Sequence, residues 1–256
     1  MPTTTPHRPE PTYRWRWAFR LLDLLYPGEC ALCRDPLPSG RALCDPCDAE
    51  LPRLESPYCE ICGEPFPGAV DSHFACPNCS RLSFDFAFAR PAMNHDPRLR
   101  ELIHQLKYGR QLHLAAELGR LAATALDDPR FAAALAGNWP LVPVPLHKSR
   151  LRFRHFNQAE EIARPVSRLT GLPIVRALSR IRSTSTQTTL TRAQRLQNLS
   201  GAFELTRAGQ RALESHPGGA ILVDDVFTTG STVQACAKVL RKAGFQPVTV
   251  ITVMRG

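Results

Sequence analysis

Eight of the nine cysteines fall in four Cys-x-x-Cys pairs: Cys30/Cys33, Cys44/Cys47, Cys59/Cys62 and Cys76/Cys79. No other feature limits so strongly what the amino-terminal third of the chain can become. Two residues between thiols let both sulfurs reach one ion from a tight knuckle, and two knuckles complete the tetrahedral four-sulfur shell that zinc prefers. Ten residues separate Cys33 from Cys44 and thirteen separate Cys62 from Cys76, both short ribbon lengths. Sequential pairing therefore predicts one site from the first four cysteines and one from the second four. Gly63 suits a knuckle turn. With every coordination position filled by protein, both sites read as structural. The alternatives are disulfides and an iron–sulfur cluster. Disulfides need an export signal, which is not found, and Cys-x-x-Cys closes a strained loop. Spacing alone does not separate a cluster from zinc. The region is Pro-rich with few long apolar runs, and is predicted to need its metals to fold. His73, beside the second site, reads as a spectator. Cys236, on the apolar face of the last helix, reads as a small buried hydrophobe.

Residues 221 to 233 read Ile-Leu-Val-Asp-Asp-Val-Phe-Thr-Thr-Gly-Ser-Thr-Val. The run Ile221, Leu222, Val223 has the length and β-branching of a buried strand. Asp224 and Asp225 sit at its carboxyl end. Thr228, Thr229, Gly230, Ser231 and Thr232 form a short hydroxyl-bearing loop. Val233, Cys236, Ala237 and Leu240 then recur at helical spacing until Gly244. Strand, loop and helix suit an anion, because the N–H groups at a helix N-terminus lack partners and the dipole there favours negative charge. Gly230 lets the backbone approach closely. The two acids would repel a phosphate, but they can accept hydrogen bonds from sugar hydroxyls or attract a metal. A phosphate cradle beside two acids fits a phosphosugar better than a nucleoside triphosphate. No Lys follows the loop glycine, as a Walker loop requires.

The chain carries a net charge of +9, and the excess is local. Between Leu146 and Arg211 there are thirteen Lys or Arg against three acids, a surplus of ten that accounts for the whole net charge. Such a field suits a phosphorylated metabolite or nucleic acid, with a solvated surface as the plain alternative. Hydrophobic content of 43% and charged content of 21% are those of a globular protein. No run is apolar and long enough to span a bilayer. Residues 1–14 are predicted to be disordered, and Trp15 to Leu25 to form a short amphipathic helix on the body of the protein. A helix in a membrane interface is the other reading of that segment.

After Cys79 the pattern changes. Phe84, Phe86 and Phe88 alternate with Asp85 and Ala87, which predicts a strand. Helices are expected from Pro97 to Gly109, about Gln111 to Leu126, Asn157 to Leu169 and Val233 to Phe245. Strands are expected at Leu141 to Pro145, Ile174 to Leu178, Ala202 to Leu205 and Pro247 to Met254. His104 and Lys107 fall off the apolar stripe of the first helix. Arg180 to Ser200 is polar throughout, as a linker or a functional lid would be.

Taken with the four knuckles, the stretches Leu102-Ile-His-Gln-Leu-Lys-Tyr108, Val142-Pro-Val-Pro145, Arg154-His-Phe-Asn-Gln158, Arg182-x-Thr-x-x-x-Gln and Arg195-x-x-Asn198, followed by residues 221–233, resemble the ComF family. The last stretch is similar to the phosphoribosyl-pyrophosphate (PRPP) motif of type I phosphoribosyltransferases. The resemblance runs from about Leu21 to Arg255. It implies an α/β fold in which a type I phosphoribosyltransferase domain, residues 81–256, follows a helix and double zinc ribbon, residues 15–80. It also implies a cytoplasmic protein of DNA uptake or competence, with two structural zinc ions and magnesium bound with PRPP. By position, Asp224 and Asp225 would hold the ribose hydroxyls, and Thr228, Thr229, Gly230, Ser231 and Thr232 the 5-phosphate. Val144 and Pro145, helped by Lys148 or Arg150, would meet the pyrophosphate, and Gln187, Arg192 and Arg195 would close from above. Two functions follow: phosphoribosyl transfer to an acceptor that no motif identifies, or a non-catalytic PRPP sensor or single-stranded-DNA adaptor on the same fold. In either case single-stranded DNA and other DNA-uptake proteins are the implied partners. Tyr58, Phe66, Phe74, Tyr108, Phe153 and Phe156 are the aromatic residues a single strand could stack on.

Overall fold

A computed structural model describes residues 28–37, 40–68, 74–183, 194 and 197–256. Residues 1–14, the stretch from Trp15 to Leu25, His73, and the lid residues Gln187, Arg192 and Arg195 lie outside the described residues. The chain divides into two compact units, Met1–Asp48 and Ala49–Gly256.

In the first unit, strands β1 (Gly28–Glu29) and β2 (Pro36–Leu37) pair antiparallel, Gly28 opposite Leu37. The knuckle between them turns through Arg34, whose φ is 70° and whose N–H donates to the Cys30 carbonyl at 2.9 Å. Helix α1 (Asp45–Ala49) carries Cys47.

In the second unit a knuckle at Cys59–Cys62 and a one-turn helix α2 (Pro77–Ser80) precede the sheet. Four strands, all parallel, lie in the order β3 (Ala89–Met93), β8 (Val248–Arg255), β7 (Ala220–Phe227), β4 (Leu141–Pro143). Parallel sheets covered on both faces have continuous apolar strands. Accordingly Ala220 to Val223 and Val248 to Met254 are buried without interruption. On one face lie α3 (Pro97–Tyr108), α4 (Leu114–Ala123) and α7 (Gln158–Thr170). Asp96 caps α3, its carboxylate accepting the Arg98 and Leu99 N–H groups at 2.7 and 3.3 Å. Where α4 meets α7, a Cβ at Gly119 would fall 2.5 Å from the Ile162 carbonyl oxygen, so only glycine permits the crossing. Two short 3-10 turns (Thr124–Asp127 and Pro129–Phe131) and α5 (Ala132–Ala136) lead into β4. After α6 (Lys148–Arg154) and α7, strands β5 (Leu178–Arg180) and β6 (Phe203–Leu205) form a hairpin. Helix α8 (Arg207–Ser215) leads into β7. Helix α9 (Ser231–Ala243) presses Val233, Cys236, Ala237 and Leu240 onto the other face of the sheet and stops at Gly244, φ 116°.

The four helices expected after Cys79 and the last strand stand within a few residues of their sequence bounds. Three expectations are corrected. The Phe84–Phe88 alternation is a bend, and β3 starts only at Ala89. Asp85 holds the bend: its N–H donates to Gln234 Oε1 at 2.9 Å, and its carboxylate accepts from Gln234 Nε2 at 2.8 Å and Arg241 Nη1 at 3.3 Å. The strand expected from Ile174 to Leu178 begins only at Leu178 and runs to Arg180, with Ile174 making a lone bridge to Leu141. Strand β7 continues through Val226 and Phe227, so the two acids lie within it rather than at its end.

Candidate functional site

Each four-cysteine cluster has the geometry of a metal shell. Cys30, Cys33, Cys44 and Cys47 place their sulfurs within 4.8 Å of one another, as do Cys59, Cys62, Cys76 and Cys79. The Cys33–Cys44 and Cys62–Cys76 sulfur separations are 3.6 and 3.7 Å. Zinc–sulfur bonds of about 2.3 Å in a tetrahedron put sulfurs roughly 3.8 Å apart, whereas a disulfide needs about 2.05 Å. The tetrads therefore fit two structural zinc ions. Backbone N–H groups turn toward the ligands: Cys44 N donates to Cys30 Sγ at 3.5 Å and Cys76 N to Cys59 Sγ at 3.3 Å. The hydrogen bond from Cys62, and then the amides of Cys76, Cys62 and Ile61, pull the Cys59 thiol down to about 4 despite its burial, while the hydrogen bond to Cys59 and then burial push the Cys62 thiol up, and burial and then the Cys59 charge push the Cys79 thiol up. The second tetrad is wholly buried, while in the first Cys33 is exposed.

The sheet register assembles the other candidate site. Pro143 pairs with Val223, and Val144 N donates to the Val223 carbonyl at 2.9 Å. The Val144–Pro145 turn thus lies beside Asp224, at the sheet end where the crevice of a parallel α/β fold opens. Asp225 is 4% exposed. Lys107 forms an ion pair with its Oδ2, and Gln158 Nε2 donates to its Oδ1 at 3.4 Å. Burial drives the Asp225 carboxyl upward, but the Lys107 ammonium overcomes it and holds Asp225 below the usual carboxylate range. Burial, and then the charge of Asp225, push Asp224 well above that range. Asp224 Oδ1 accepts the Asp225 N–H at 3.0 Å.

Around this pair three of the stretches that carry the family resemblance converge, those of Leu102–Tyr108, Val142–Pro145 and Arg154–Gln158. Arg154 Nη1 donates to Gln158 Oε1 at 2.9 Å, and its guanidinium lies 4.8 Å from the centre of the Tyr108 ring. Asn157 caps α7 through Ala159 N at 3.2 Å and donates from Nδ2 to the Val144 carbonyl at 3.1 Å. One asparagine therefore fixes both the turn after β4 and the start of α7. Sequence reasoning assigns no role to Lys107, Arg154, Asn157 or Gln158. The available signal is Lys107 lying off the apolar stripe of α3.

The hydroxyl loop closes the site. Gly230 adopts φ 73°, and a Cβ there would fall 2.7 Å from the Phe227 ring. Thr229 and Ser231 hydroxyls are 2.9 Å apart, and Ser231 is buried. The N-cap residue Gly230 has no side chain to cap α9, which leaves the first N–H groups of the helix facing the loop. Thr228 is exposed and Thr232 half-buried. Lys148 lines a cleft of about 510 Å³ with Pro143, Pro145, Ser179 and Arg180. Arg180, also without a role assigned from sequence, lies within electrostatic reach of Asp224 and Arg150. Burial and then repulsion from Arg150 lower its pKa.

Comparison with known proteins agrees with the two cysteine tetrads. A model of the double zinc ribbon domain matches residues 21–81. The DNA utilization protein YhgH of Escherichia coli (strain K12) is 34% identical over 229 residues, 89% of this chain and 96% of that protein. Competence protein F of Haemophilus influenzae is 30% identical over 223 residues, 86% of this chain and 94% of that protein. Competence protein ComFC of Bacillus subtilis is 24% identical over 212 residues, 79% of each. Among the described residues no helix is long and apolar enough to cross a membrane. With a double zinc ribbon ahead of a parallel α/β sheet, and with these relatives matched nearly end to end, the chain belongs to the ComF family.

Proposed function

We propose that the protein binds PRPP over the acid pair, transfers its phosphoribosyl group to an acceptor, and serves the DNA utilization or competence that its relatives' names describe. One observation carries this reading: the hydrogen bond from Val144 to Val223 brings the Val144–Pro145 turn, both acids and the hydroxyl loop to the same sheet end. The N–H groups at the start of α9 and the hydroxyls of Thr228, Thr229, Ser231 and Thr232 suit a 5-phosphate. Asp224 and Asp225 suit the ribose hydroxyls. The Val144–Pro145 backbone, with Arg150, Lys148 and Arg180, suits the pyrophosphate. Gln187, Arg192 and Arg195 are assigned to closure by the resemblance alone.

The donor set also suits magnesium carried in with PRPP. Asp225 already has Lys107 as its cation, whereas the elevated pKa of Asp224 marks a carboxyl whose proton a divalent cation would replace. When bound, magnesium supplies positive charge to the departing pyrophosphate. The chain's own part is to fix that geometry beforehand. Lys107 and Gln158 hold Asp225, Asn157 holds the turn, and Gly230 brings the loop N–H groups close. The free cysteines of both tetrads suit a reducing compartment, which favours the cytoplasm.

Calorimetry with PRPP and magnesium, and pyrophosphate release with candidate bases, test the reading. Binding should weaken at least tenfold in Asp224→Asn. Wild-type protein that binds no PRPP refutes the reading, and binding without release moves it to the sensor alternative.

A separate observation favours single-stranded DNA as a partner. Of the six aromatic residues proposed for stacking, only Tyr108 and Phe153 are more than half exposed, at 55% and 65%. They lie among cations: Arg154 stands over Tyr108, and Arg110 Nη2 donates to the Phe153 carbonyl at 2.8 Å. Tyr58 is enclosed by Arg90 and Asp128, Phe156 is buried, and Phe66 packs on Phe74 with ring centres 4.7 Å apart. Bases stack on such exposed rings with little sequence preference. Anisotropy with a labelled oligonucleotide should show binding that weakens steeply with salt and drops about tenfold in Tyr108→Ala/Phe153→Ala. Unchanged binding in that variant sinks the assignment.

A further inference from the structure

Arg255, on β8, is tied to both the hydroxyl loop and the second cysteine tetrad. Its Nη1 donates to the carbonyls of Phe227 at 2.8 Å and Thr228 at 2.9 Å, where strand β7 becomes the loop. The guanidinium carbon lies 5.5 Å from the centre of the Phe227 ring. That ring fills the space against Gly230 that a Cβ would need. Arg255 thus sets both the backbone at which the loop begins and the ring that supports its glycine.

The other end of the same guanidinium, Nη2, forms an ion pair with Glu64. Glu64 stands two residues after Cys62, and its carbonyl accepts the Cys59 N–H at 2.8 Å. Gly63, φ 68°, donates to the Cys59 carbonyl at 2.8 Å. These bonds wind the knuckle that presents Cys59 and Cys62 to the shared shell. The position of the Glu64 backbone is therefore set by the closed tetrad. The knuckle also rests on the sheet edge, since Ala89 N donates to the Ile61 carbonyl at 2.8 Å.

We infer that Glu64 and Arg255 are positioning residues that carry the state of the second metal site to the anion loop. With the tetrad closed, Glu64 anchors Arg255 on the Phe227 and Thr228 carbonyls, and the loop N–H groups stay aimed outward. With the tetrad opened, Glu64 moves with its knuckle, Arg255 loses its anionic partner, and the loop start loosens. The inference rests on the proposed PRPP site for its functional consequence, but not for the structural relay itself.

Hydrogen exchange on the full-length zinc-loaded protein separates the two. Glu64→Gln and Arg255→Lys remove the anion and the two-carbonyl fork, respectively. Both should speed exchange in the peptide covering 226–234 while α3 and α7 exchange as in the wild type and the protein still holds two zinc ions. Calorimetry should show PRPP affinity falling about two- to fivefold in Glu64→Gln, the scale of a partly exposed ion pair, and about tenfold in Arg255→Lys. Cys62→Ser should give the same local exchange change with one zinc ion lost. If it fails to fold, the two side-chain variants decide the matter alone. Unchanged exchange at 226–234 in both variants overturns the relay, whatever PRPP does. Wild-type protein that ignores PRPP, with the exchange change present, leaves the relay standing and removes only the proposed ligand.

Discussion

Replacing Asp128 with asparagine tests whether the second ribbon is fastened to the sheet by one buried carboxylate. Tyr58, from the ribbon, donates its hydroxyl to Asp128 Oδ2 at 3.0 Å. Arg130 Nη2 reaches the same oxygen at 2.7 Å and Arg90, on β3, at 3.2 Å. Oδ1 accepts Arg130 N and Nε, each at 3.0 Å. The Asp128 side chain is 4% exposed. Burial pushes this carboxyl up, but the Arg130 bonds and the surrounding charge outweigh it and hold the pKa at about 2. Against an unfolded value near 3.9, a depression of about two units is worth roughly 2.6 kcal/mol at pH 7. Because the folded pKa is the lower one, this stability is fully present above about pH 4 and is lost as pH falls through 2. By the same linkage about half of it remains at pH 3. Asp128→Asn keeps the shape and an acceptor for Tyr58 but leaves two guanidiniums uncompensated. Urea unfolding in zinc-replete buffer, followed by circular dichroism, should show the variant about 2.5 kcal/mol less stable at pH 7. A variant within about 0.5 kcal/mol of the wild type at pH 7, the range of an ordinary surface substitution, would refute the argument.

Three further outcomes are expected. Lys107→Met leaves Asp225 buried without its cation, which costs about 3 kcal/mol at pH 7. The Asp225 pKa then rises, so part of the loss returns near pH 5, measured by urea unfolding at both pH values. Gly230→Ala forces an L residue to φ 73° and a methyl against the Phe227 ring, costing about 1–3 kcal/mol, and should weaken PRPP binding by more than tenfold in calorimetry. Reconstitution with cobalt should give two tetrathiolate spectra per chain, and one spectrum or none contradicts the paired tetrads.

Much of this molecule is readable along its chain because the informative contacts are local. Cys-x-x-Cys knuckles declare themselves by spacing, and α3 and α9 by apolar stripes that end at glycine. Strand β7 reads as buried because it has β8 on one side, β4 on the other and helices on both faces. What the chain conceals is long-range. Lys107 looks like any solvated lysine until the fold carries Asp225, far along the sequence, against it. The run Lys148 to Arg154 holds four cations, and no element is expected there from the sequence. It is helical because His147 caps it, Nδ1 accepting Ser149 N at 3.3 Å, and because Arg154 turns inward to Gln158. The Phe84–Phe88 alternation misleads for a similar reason. Asp85 is held by Gln234 and Arg241 on α9, a contact that hydrophobic periodicity does not register.

The unequal enclosure of the two tetrads bears on how the metals would exchange. Thiolates that solvent and competing ligands can reach surrender their ion stepwise, through mixed complexes with the incoming chelator. Cys33 offers such a foothold, with Cys44 and Cys47 half-covered beside it, while all four sulfurs of the second shell are sealed. The first ion is therefore the kinetically labile one. A chelator should pass the protein through a long-lived one-zinc form whose remaining ion is the one buried against the sheet, and oxidants should find the same order of attack.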